Sequence, residues 1–473
     1  MKMLRRASPN EQRTISREDL GFYHAVIIGA VYRFENGLDI ESPGSFLAPL
    51  KQCIDDHPFM SVLVADRHTN KAYYHRAPSI NLEDHITILP PAEPNAPSWT
   101  AIETVMQADI DRPFSYTIPP WRLAVLPLSP NSCFIAYSFS HGISDGPSGV
   151  SFHRTFLNAI QASPEPLASP IITPPDIPLP PPFDTPSRLP ISWSFLLGPL
   201  LAEILPAFLS NILNISASAA TINDNTWTGT PCAFNPPETN TRLLLRTIPA
   251  PLVTKALSAG RANGAKLTGV FHQLVVRALS KGLPVASPEA GKGANPITNF
   301  LSQTAINMRP AVGVSPDEMG EFASGVYLSH KRVDSSVCDV PLTEEEWVSA
   351  RECTVALAET AARLDDQPIG LLRYAPSIRG WLGKKVGGRR EGSYEVSNVG
   401  VVSFGAGEVK IVDMAFAQPG HVVGTPLCFN IVSVKGGELV YTVTWPKGAL
   451  GVEDEDGFVE GVCTSIKSDF EQF

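Results

Sequence analysis

A run of prolines between residues 164 and 190 limits the possible architectures of this chain more than any other segment. Eleven of its twenty-seven residues are proline. Proline fixes its own φ and lacks a backbone donor, so such a run is stiff and extended and forms no long regular element. A chain of 473 residues is also too long for one ordinary core. We therefore predict an N-terminal lobe at 1–163, a proline-rich linker with an apolar insert at 164–226, and a C-terminal lobe at 227–473.

The apolar insert lies at residues 191–215, "ISWSFLLGPLLAEILPAFLSNILNI". Its length alone suggests a membrane span. However, Pro199 and Pro206 would break a helix, and Glu203 sits near the centre of the segment. A packed pair of short helices is the favoured interpretation. A peripheral membrane contact, or a wall for an apolar substrate, is the alternative.

Composition excludes several classes of protein. The net charge of −10 leaves no general basic face for nucleic acid. The seven cysteines are scattered and none forms a C-x-x-C pair, so neither a zinc site nor a disulfide framework is indicated. The polar N-terminal segment has no apolar signal core. We expect a reduced, cytoplasmic protein with at most a peripheral membrane contact.

Hydrophobic patterning predicts strands and helices in mixed order, which favours an α/β fold of layered lobes over a regular βαβ array. The segment that matters most is "CFIAYSFS" (133–140), a strand that leads directly into "HGISDG". A helix over 147–160 follows, with Pro147 near its first turn.

The stretch "SFSHGISDGPSG" (138–149) fits two different active sites. As G-x-S-x-G it makes Ser144 the nucleophile of a hydrolase, and the predicted strand, glycine turn and helix suit that motif. An α/β-hydrolase should continue with regular βα units and with an Asp and a His, whereas here a proline run follows. No histidine farther along (His272, His330 or His421) stands in a distinctive setting.

As H-x-x-x-D-G the same stretch makes His141 the catalyst. An imidazole at a strand end can act as a general base near neutral pH. Asp145 lies four residues on and can pair with a distant arginine, while Gly146 permits torsions that a side chain would forbid. A core histidine beside a capping aspartate explains these residues equally well. A metal site that adds His153 has no customary spacing and is the weaker interpretation.

Other segments favour the histidine interpretation. "SHGISDG" resembles the H-x-x-x-D-G motif of the CoA-dependent acyltransferase superfamily, which includes chloramphenicol acetyltransferases, the plant BAHD enzymes and condensation domains. Further segments resemble the fungal alcohol O-acetyltransferases within it, in the expected order: "RRASPNEQRTISREDLGFYHAV", "PPWRLAVL", "WTG" (227–229), "INMRP" (306–310) and "SNVG" (397–400). The proline-rich linker and the apolar insert depart from that pattern, and the plant-type DFGWG motif is absent.

The resemblance implies two chloramphenicol-acetyltransferase-like lobes with an active-site tunnel between them. His141 would be the base, with Asp145 and Gly146 completing the motif and Arg309 of "INMRP" pairing with Asp145. Ser397 and Asn398 of "SNVG" would donate hydrogen bonds to an oxyanion, although a plain strand-end turn also explains them. Residues implied to contact CoA are Thr268, which helix capping would explain equally well, and the basic cluster Lys384, Lys385, Arg389 and Arg390.

The implied activity is transfer of an acyl group, most simply acetyl, from acyl-CoA to the hydroxyl of a small lipophilic alcohol or secondary metabolite. Acetyl-CoA would be a co-substrate, with no bound cofactor or metal, and the family's single-chain members imply a monomer. Three alternatives stay open: a serine esterase using Ser144, a condensation-domain-like enzyme with a carrier-bound donor, and a non-catalytic binder of hydrophobic ligands.

Overall fold

The computed structural model describes residues 3–35, 37–93, 98–204, 222–236, 238–285, 296–334 and 340–473. Its α-helices are α1 (Pro9–Asp19), α2 (Gly44–Asp56), α3 (Ser98–Asp109), α4 (Gly146–Gln161), α5 (Trp193–Ile204), α6 (Ala250–Ala262), α7 (Leu267–Gly282), α8 (Arg309–Val312), α9 (Glu344–Ala362), α10 (Ile378–Lys384) and α11 (Glu455–Glu471). Short 3₁₀ turns cover Pro58–Ser61, Leu82–His85 and Pro368–Tyr374.

The strands of the first half of the chain are β1 (Met3–Arg6), β2 (Ala25–Phe34), β3 (Val62–Ala65), β4 (Tyr73–Arg76), β5 (Ile80–Asn81), β6 (Ile86–Ile88), β7 (Trp121–Ser129), β8 (Ser132–Ser140) and β9 (Ile171–Ile172). Those of the second half are β10 (Thr226–Trp227), β11 (Thr241–Ile248), β12 (Asn299–Asn307), β13 (Ala323–Lys331), β14 (Tyr394–Val402), β15 (Val409–Ala417), β16 (Leu427–Val434) and β17 (Leu439–Pro446).

The first large sheet has the strand order β15-β2-β8-β7-β6. Its central strands β2 and β8 are buried along almost their whole length, which explains why their sequences are continuously apolar instead of alternating. Helix α4 covers one face at very close range. A side chain at Gly149 would bring a Cβ within 2.4 Å of Ile28, so glycine is what lets this helix lie against β2. This sheet carries the first hydrophobic core.

The second large sheet has the order β10-β12-β14-β16-β17-β11, with β13 paired to β12. Helix α7 is buried over almost all of its length because it lies between this sheet and the helices α9 and α11. Its residues form the centre of the second hydrophobic core. Two layered lobes of mixed helix and sheet result, and the predicted fold class is confirmed.

The second half of the chain also contributes to the first sheet. Strand β15 pairs antiparallel with β2, from Val409 opposite Phe34 to Ala417 opposite Ile27. The proline run therefore does not mark a boundary between the strands of the two sheets. The division into 1–163, 164–226 and 227–473 stays a prediction.

The proline run is extended and packs against the rest of the protein. Apart from β9, which pairs with β5, it forms no regular element over 164–190. Phe183 and Leu189 are buried beside Met308 and Phe322 of the second half. The carboxylate of Asp184 accepts a hydrogen bond from the backbone N–H of Asn10 on α1 (2.9 Å). The run thus fixes the position of α1.

Of the predicted apolar insert, residues 191–204 are described and 205–215 lie outside the described residues. Trp193 and Leu197 of α5 are 80% and 51% exposed, whereas Leu196 between them is buried against a large cavity. Among the described residues no helix has the length and apolar character needed to cross a bilayer. The peripheral membrane contact stays a prediction.

Candidate active site

A cavity of about 580 Å³ lies between the lobes, and His141 lies on its wall. Both halves of the chain line it: α1, the loop after β8, the strands β12 and β14, and residues 368–385. Much of the wall is apolar, with contributions from Phe22, Leu196, Ile369 and Trp381. The cavity is within the size range of small-molecule sites and has the mixed lining that such sites share.

The position of His141 follows from the end of strand β8. That strand stops at Ser140, and the next residues form a tight loop in which Tyr74 donates its hydroxyl to the carbonyl of Gly142 (2.5 Å). The imidazole Nδ1 of His141 lies 2.6 Å from Oε2 of Glu321. The two atoms are close enough for an ion pair, but their alignment is not that of a hydrogen bond, and neither is hydrogen-bonded to any other described group. Since Nδ1 faces Glu321, Nε2 is the ring nitrogen left for a substrate.

Asp145 and Arg309 are brought together although 164 residues separate them. The guanidinium of Arg309 donates to both carboxylate oxygens of Asp145, at 2.8 Å each, and both side chains are buried. Burial alone would raise the pKa of Asp145, but Arg309, Ser148 and the N–H of Phe322 together hold it below its ordinary value. Asp145 also caps the N-terminus of α4. The pair thus anchors the loop that carries His141.

Gly146, the third residue of the motif, is the first residue of α4 and borders the cavity. A Cβ at this position would lie 2.9 Å from Cγ1 of Val399 on β14. Glycine therefore allows α4 and β14 to approach each other beside the cavity, which both elements line. This packing reason, and not a left-handed backbone, explains the residue.

Ser144, the rival catalyst, has none of the geometry of a nucleophile. It is fully buried and does not line the cavity, and among the described residues its Oγ has no hydrogen-bond partner. His272 is bonded to Tyr394 and Thr304 in the second core. His330 is bonded to Ser302. Neither imidazole is available to Ser144 as a base.

Ser397 and Asn398 both line the cavity from strand β14. The side-chain amide of Asn398 donates to Oγ1 of Thr268 on α7 (3.1 Å), and its carbonyl oxygen accepts from the N–H of Gly400. Thr268 is thereby connected to the cavity wall, although it is the second residue of α7 and not its cap. Three residues of the predicted site therefore lie side by side.

The four members of the predicted basic cluster have different surroundings. Lys384 and Lys385 line the cavity, and Lys385 pairs with Glu391 (2.6 Å) and stacks on Trp381. Arg389 donates to the carbonyls of residues 223 and 226. Arg390 is buried and donates to the carbonyls of residues 230, 421 and 424. Contact of these side chains with CoA stays a prediction, and the geometry favours the two lysines.

Two groups that could suggest a metal site already use some of their ligand atoms in internal hydrogen bonds. His153, buried on α4, bonds through Nδ1 to Tyr32 and through Nε2 to the carbonyl of Ile28, both at 2.9 Å. Burial lowers its pKa to about 4. Glu395, His421 and Cys428 place one ligand atom each within 4.8 Å of one another. The amide of Gln418 donates to both Glu395 and Cys428 there.

Sequence reasoning missed three charged residues that face the site. Glu321 follows α8 in a segment with no motif, and only the folded chain places it beside His141. Arg13 and Arg17 line the cavity from α1, four residues apart. The sequence does contain a signal for these two arginines. The capping box at Ser8 and Glu11 predicts a helix, and a spacing of four residues places both arginines on one face of it.

Known proteins resemble this chain over most of its length. Residues 369–463 match the family model for alcohol acetyltransferase. The probable alcohol acetyltransferase FCK4 of Fusarium pseudograminearum is 25% identical over 70% of this chain and 66% of its own length. The probable alcohol acetyltransferase crmB of Aspergillus fumigatus is 21% identical over 98% of both chains.

Among solved structures, the TRI3 trichothecene 15-O-acetyltransferase of Fusarium sporotrichioides aligns with a TM-score of 0.64 at 12% identity. It covers 98% of this chain and 95% of its own. At that identity the alignment shows a shared fold. The resemblance expected from the sequence is confirmed: this chain is similar in sequence to the fungal alcohol acetyltransferases, and its layered two-lobe fold is similar to that of chloramphenicol-acetyltransferase-like and condensation-domain proteins.

Proposed function

We propose that the protein is a CoA-dependent O-acyltransferase that acylates the hydroxyl of a small, lipophilic alcohol or secondary metabolite, with acetyl-CoA as the simplest donor. The observation that carries this proposal is His141, which lies on the wall of a cavity between two lobes with Nδ1 beside a buried carboxylate. The apolar part of the wall, including Leu196 of the insert, supports a lipophilic acceptor. Similarity to alcohol acetyltransferases supports the reaction class.

The reaction needs one base and no acyl-enzyme. Nε2 of His141 takes the proton of the acceptor hydroxyl as that oxygen attacks the thioester carbonyl carbon. The tetrahedral intermediate collapses, the C–S bond breaks, and the proton on Nε2 passes to the CoA thiolate. Ser397 and the second amide hydrogen of Asn398 are the side-chain donors on the cavity wall that we assign to the oxyanion. Thr268, Lys384 and Lys385 are the residues we assign to CoA contacts.

Glu321 acts in this proposal as a positioning residue. A carboxylate next to Nδ1 favours the tautomer with the proton on Nδ1, and it stabilises the imidazolium that forms during the reaction. Glu321 is itself held, because its Oε1 accepts from the side-chain amide of Asn10 on α1 (3.3 Å). The proline run, which binds the backbone of Asn10 through Asp184, therefore supports this arrangement.

The first experiment is calorimetric titration of the protein with acetyl-CoA, alongside free CoA and desulfo-CoA. Saturable binding, accompanied by a rise in melting temperature, is the expected result. The protein is then assayed for acetylation of a panel of alcohols. No binding at millimolar acetyl-CoA would contradict the proposal and favour a carrier-bound donor or a non-catalytic binder.

His141→Ala, with Ser144→Ala as the matched control, tests the catalyst. We expect His141→Ala to lower kcat/KM by about a hundred- to ten-thousandfold, because it removes the base, while acetyl-CoA still binds. Ser144→Ala removes a buried hydroxyl that has no partner among the described residues, so the rate should stay near that of the wild type. Loss of activity in the serine variant alone would favour the esterase.

Glu321→Gln tests the positioning role. We expect kcat to fall by about ten- to a hundredfold, because the imidazolium that forms during the reaction loses a neighbouring negative charge. Glu321→Asp should restore part of the rate. In the double variant with His141→Ala, the loss should be no greater than for His141→Ala alone. If Glu321→Gln lowers kcat in the His141→Ala background by the same factor as in the wild type, Glu321 acts independently of His141.

A further inference from the structure

Two arginines on helix α1, Arg13 and Arg17, face the cavity that contains His141. They are one helical turn apart and therefore share a face of the helix. The guanidinium of Arg17 lies 4.3 Å from the ring centroid of Tyr23, and that ring is 5.7 Å from the imidazole of His141. One aromatic ring thus separates an arginine from the proposed base.

Neither arginine forms an ion pair within the described part of the chain, although the negative charges of Glu395 and Glu321 act on Arg17 from beyond ion-pair distance. Arg17 has no hydrogen bond or ion pair to a described side chain or carbonyl, and its Nε is buried without a partner. Arg13 donates twice to the amide oxygen of Asn10, at 3.2 and 3.1 Å, and forms no ion pair there. Burial, and after it the charge of Arg13, lowers the pKa of Arg17 to about 10. Arg17 is therefore still a cation at neutral pH.

The carboxylates closest to this region are bonded to other groups. Glu321 lies against His141 and accepts from Asn10. Glu391 pairs with Lys385. Glu395 accepts from Gln418 at 3.0 Å, and its other oxygen lies 3.5 Å from Nδ1 of His421.

A partly buried arginine that has no bonded anion carries a desolvation cost, which distant carboxylates offset only in part. A negatively charged group in the cavity would remove that cost at Arg17. Two planar guanidinium groups on one helix face suit a carboxylate, which can accept several charge-assisted hydrogen bonds at once. The CoA phosphates do not fit this position, because the pantetheine arm holds them away from a thioester placed at His141.

We propose that Arg13 and Arg17 bind a carboxylate of the substrate, and that this carboxylate belongs to the acceptor, which is accordingly a lipophilic hydroxy acid. This inference rests on the proposed function, since it takes His141 as the point at which the hydroxyl reacts. The acceptor would lie along the cavity with its hydroxyl at His141 and its carboxylate beyond the ring of Tyr23. An acidic group on the acyl chain is the other source of the same chemistry.

Direct binding of ω-hydroxylaurate and of its methyl ester, measured by calorimetry, tests the charge requirement without relying on turnover. We expect the acid to bind the wild-type protein about tenfold more tightly than the ester, because a charge-assisted pair is worth roughly that factor. Arg17→Gln and Arg13→Gln should weaken the acid and leave the ester unchanged. Arg261→Gln, at an exposed position on α6, is the matched control and should alter neither. Equal affinity of acid and ester in the wild type would overturn the proposal.

A second arm identifies the source of the carboxylate. With dodecanol as the acceptor, acetyl-CoA and succinyl-CoA are compared in the wild type and in Arg17→Gln. If the arginine variant loses only the succinyl donor, the carboxylate belongs to the acyl group and the assignment to the acceptor is overturned. Absence of acetyl-CoA binding in the wild type contradicts the proposed function by itself, whereas a lost acid preference with intact acetyl-CoA binding contradicts the carboxylate site alone.

Discussion

Arg309 and Arg17 both lie near the loop that carries His141, but they differ in how many of their hydrogen-bond donors have a partner. Arg309 donates to both oxygens of Asp145, to two carbonyls and to two further side chains. Arg17 contacts the face of one aromatic ring and borders an open cavity. The first arrangement is complete without a ligand and maintains the fold. The second is incomplete, which is what a binding site requires before its ligand arrives.

Arg309→Met should have the largest effect on stability. It leaves the buried carboxylate of Asp145 without its cation, and we expect the free energy of unfolding to fall by about 3–5 kcal/mol. Chemical denaturation measures this loss. The double variant with Asp145→Asn should lose less than the two single variants added together, because it leaves no isolated charge. A loss below about 1 kcal/mol in Arg309→Met would show that the pair is not structural.

Glu18→Gln tests how a buried carboxyl group without an ion pair makes the stability of the protein depend on pH. Glu18 of α1 is buried, accepts a hydrogen bond from Ser140 and has no ion pair in the described structure, and burial raises its pKa to about 7. Between the ordinary carboxyl pKa and that value, the unfolded chain releases a proton that the folded chain keeps, so stability falls as pH rises. Asp145 has the opposite effect. Its pKa is lowered in the folded protein, so its contribution to the stability of the protein is lost as the pH falls below the ordinary carboxyl pKa.

The variant should therefore be more stable than the wild type by about 1–3 kcal/mol near pH 8 and nearly equal to it near pH 5. Melting temperatures of both proteins across this range provide the measurement. A difference that does not change with pH would mean that Glu18 does not titrate there.

Arg17→Met should have the smallest effect on stability, and an effect of opposite sign. Removing a partly buried charge that forms no ion pair should leave the free energy of unfolding unchanged or raise it by about 1 kcal/mol. Denaturation under the conditions used for Arg309→Met allows a direct comparison. If the free energy of unfolding instead falls as much as it does for Arg309→Met, Arg17 has a structural role and the contrast between the two arginines is wrong.

The sequence predicts the local elements of this site better than their assembly. Strand β8, the loop at His141 and helix α4 follow from apolar patterning and from the proline and glycines around them. The approach of Arg309 to Asp145 was expected through family resemblance, because no periodicity relates residues so far apart. The position of Glu321 beside His141 could be predicted neither from patterning nor from the resemblance. The glutamate reaches the imidazole only because the second half of the chain folds back onto the end of β8.

Helix α1 shows why composition can mislead. Its residues are polar, so the N-terminal segment reads as surface, yet Asn10, Glu11 and Gln12 are buried. Hydrogen bonds to the proline run, to Arg5 of β1 and to the loop between β3 and β4 satisfy these polar groups, and such partners are visible only after folding. Helix α1 is therefore packed inside the protein through polar contacts, and its Arg13 and Arg17 face the cavity.

The pairing of β15 with β2 has a consequence for synthesis of the protein. Strand β2 begins at residue 25, whereas its partner lies at Val409–Ala417, close to the end of the chain. Until the ribosome has released that late strand, β2 is an apolar outer strand with unpaired backbone groups, which is the kind of surface that recruits other chains. We therefore expect the nascent N-terminal lobe to need protection until residue 417 has been synthesised, and a protein truncated before residue 409 should aggregate.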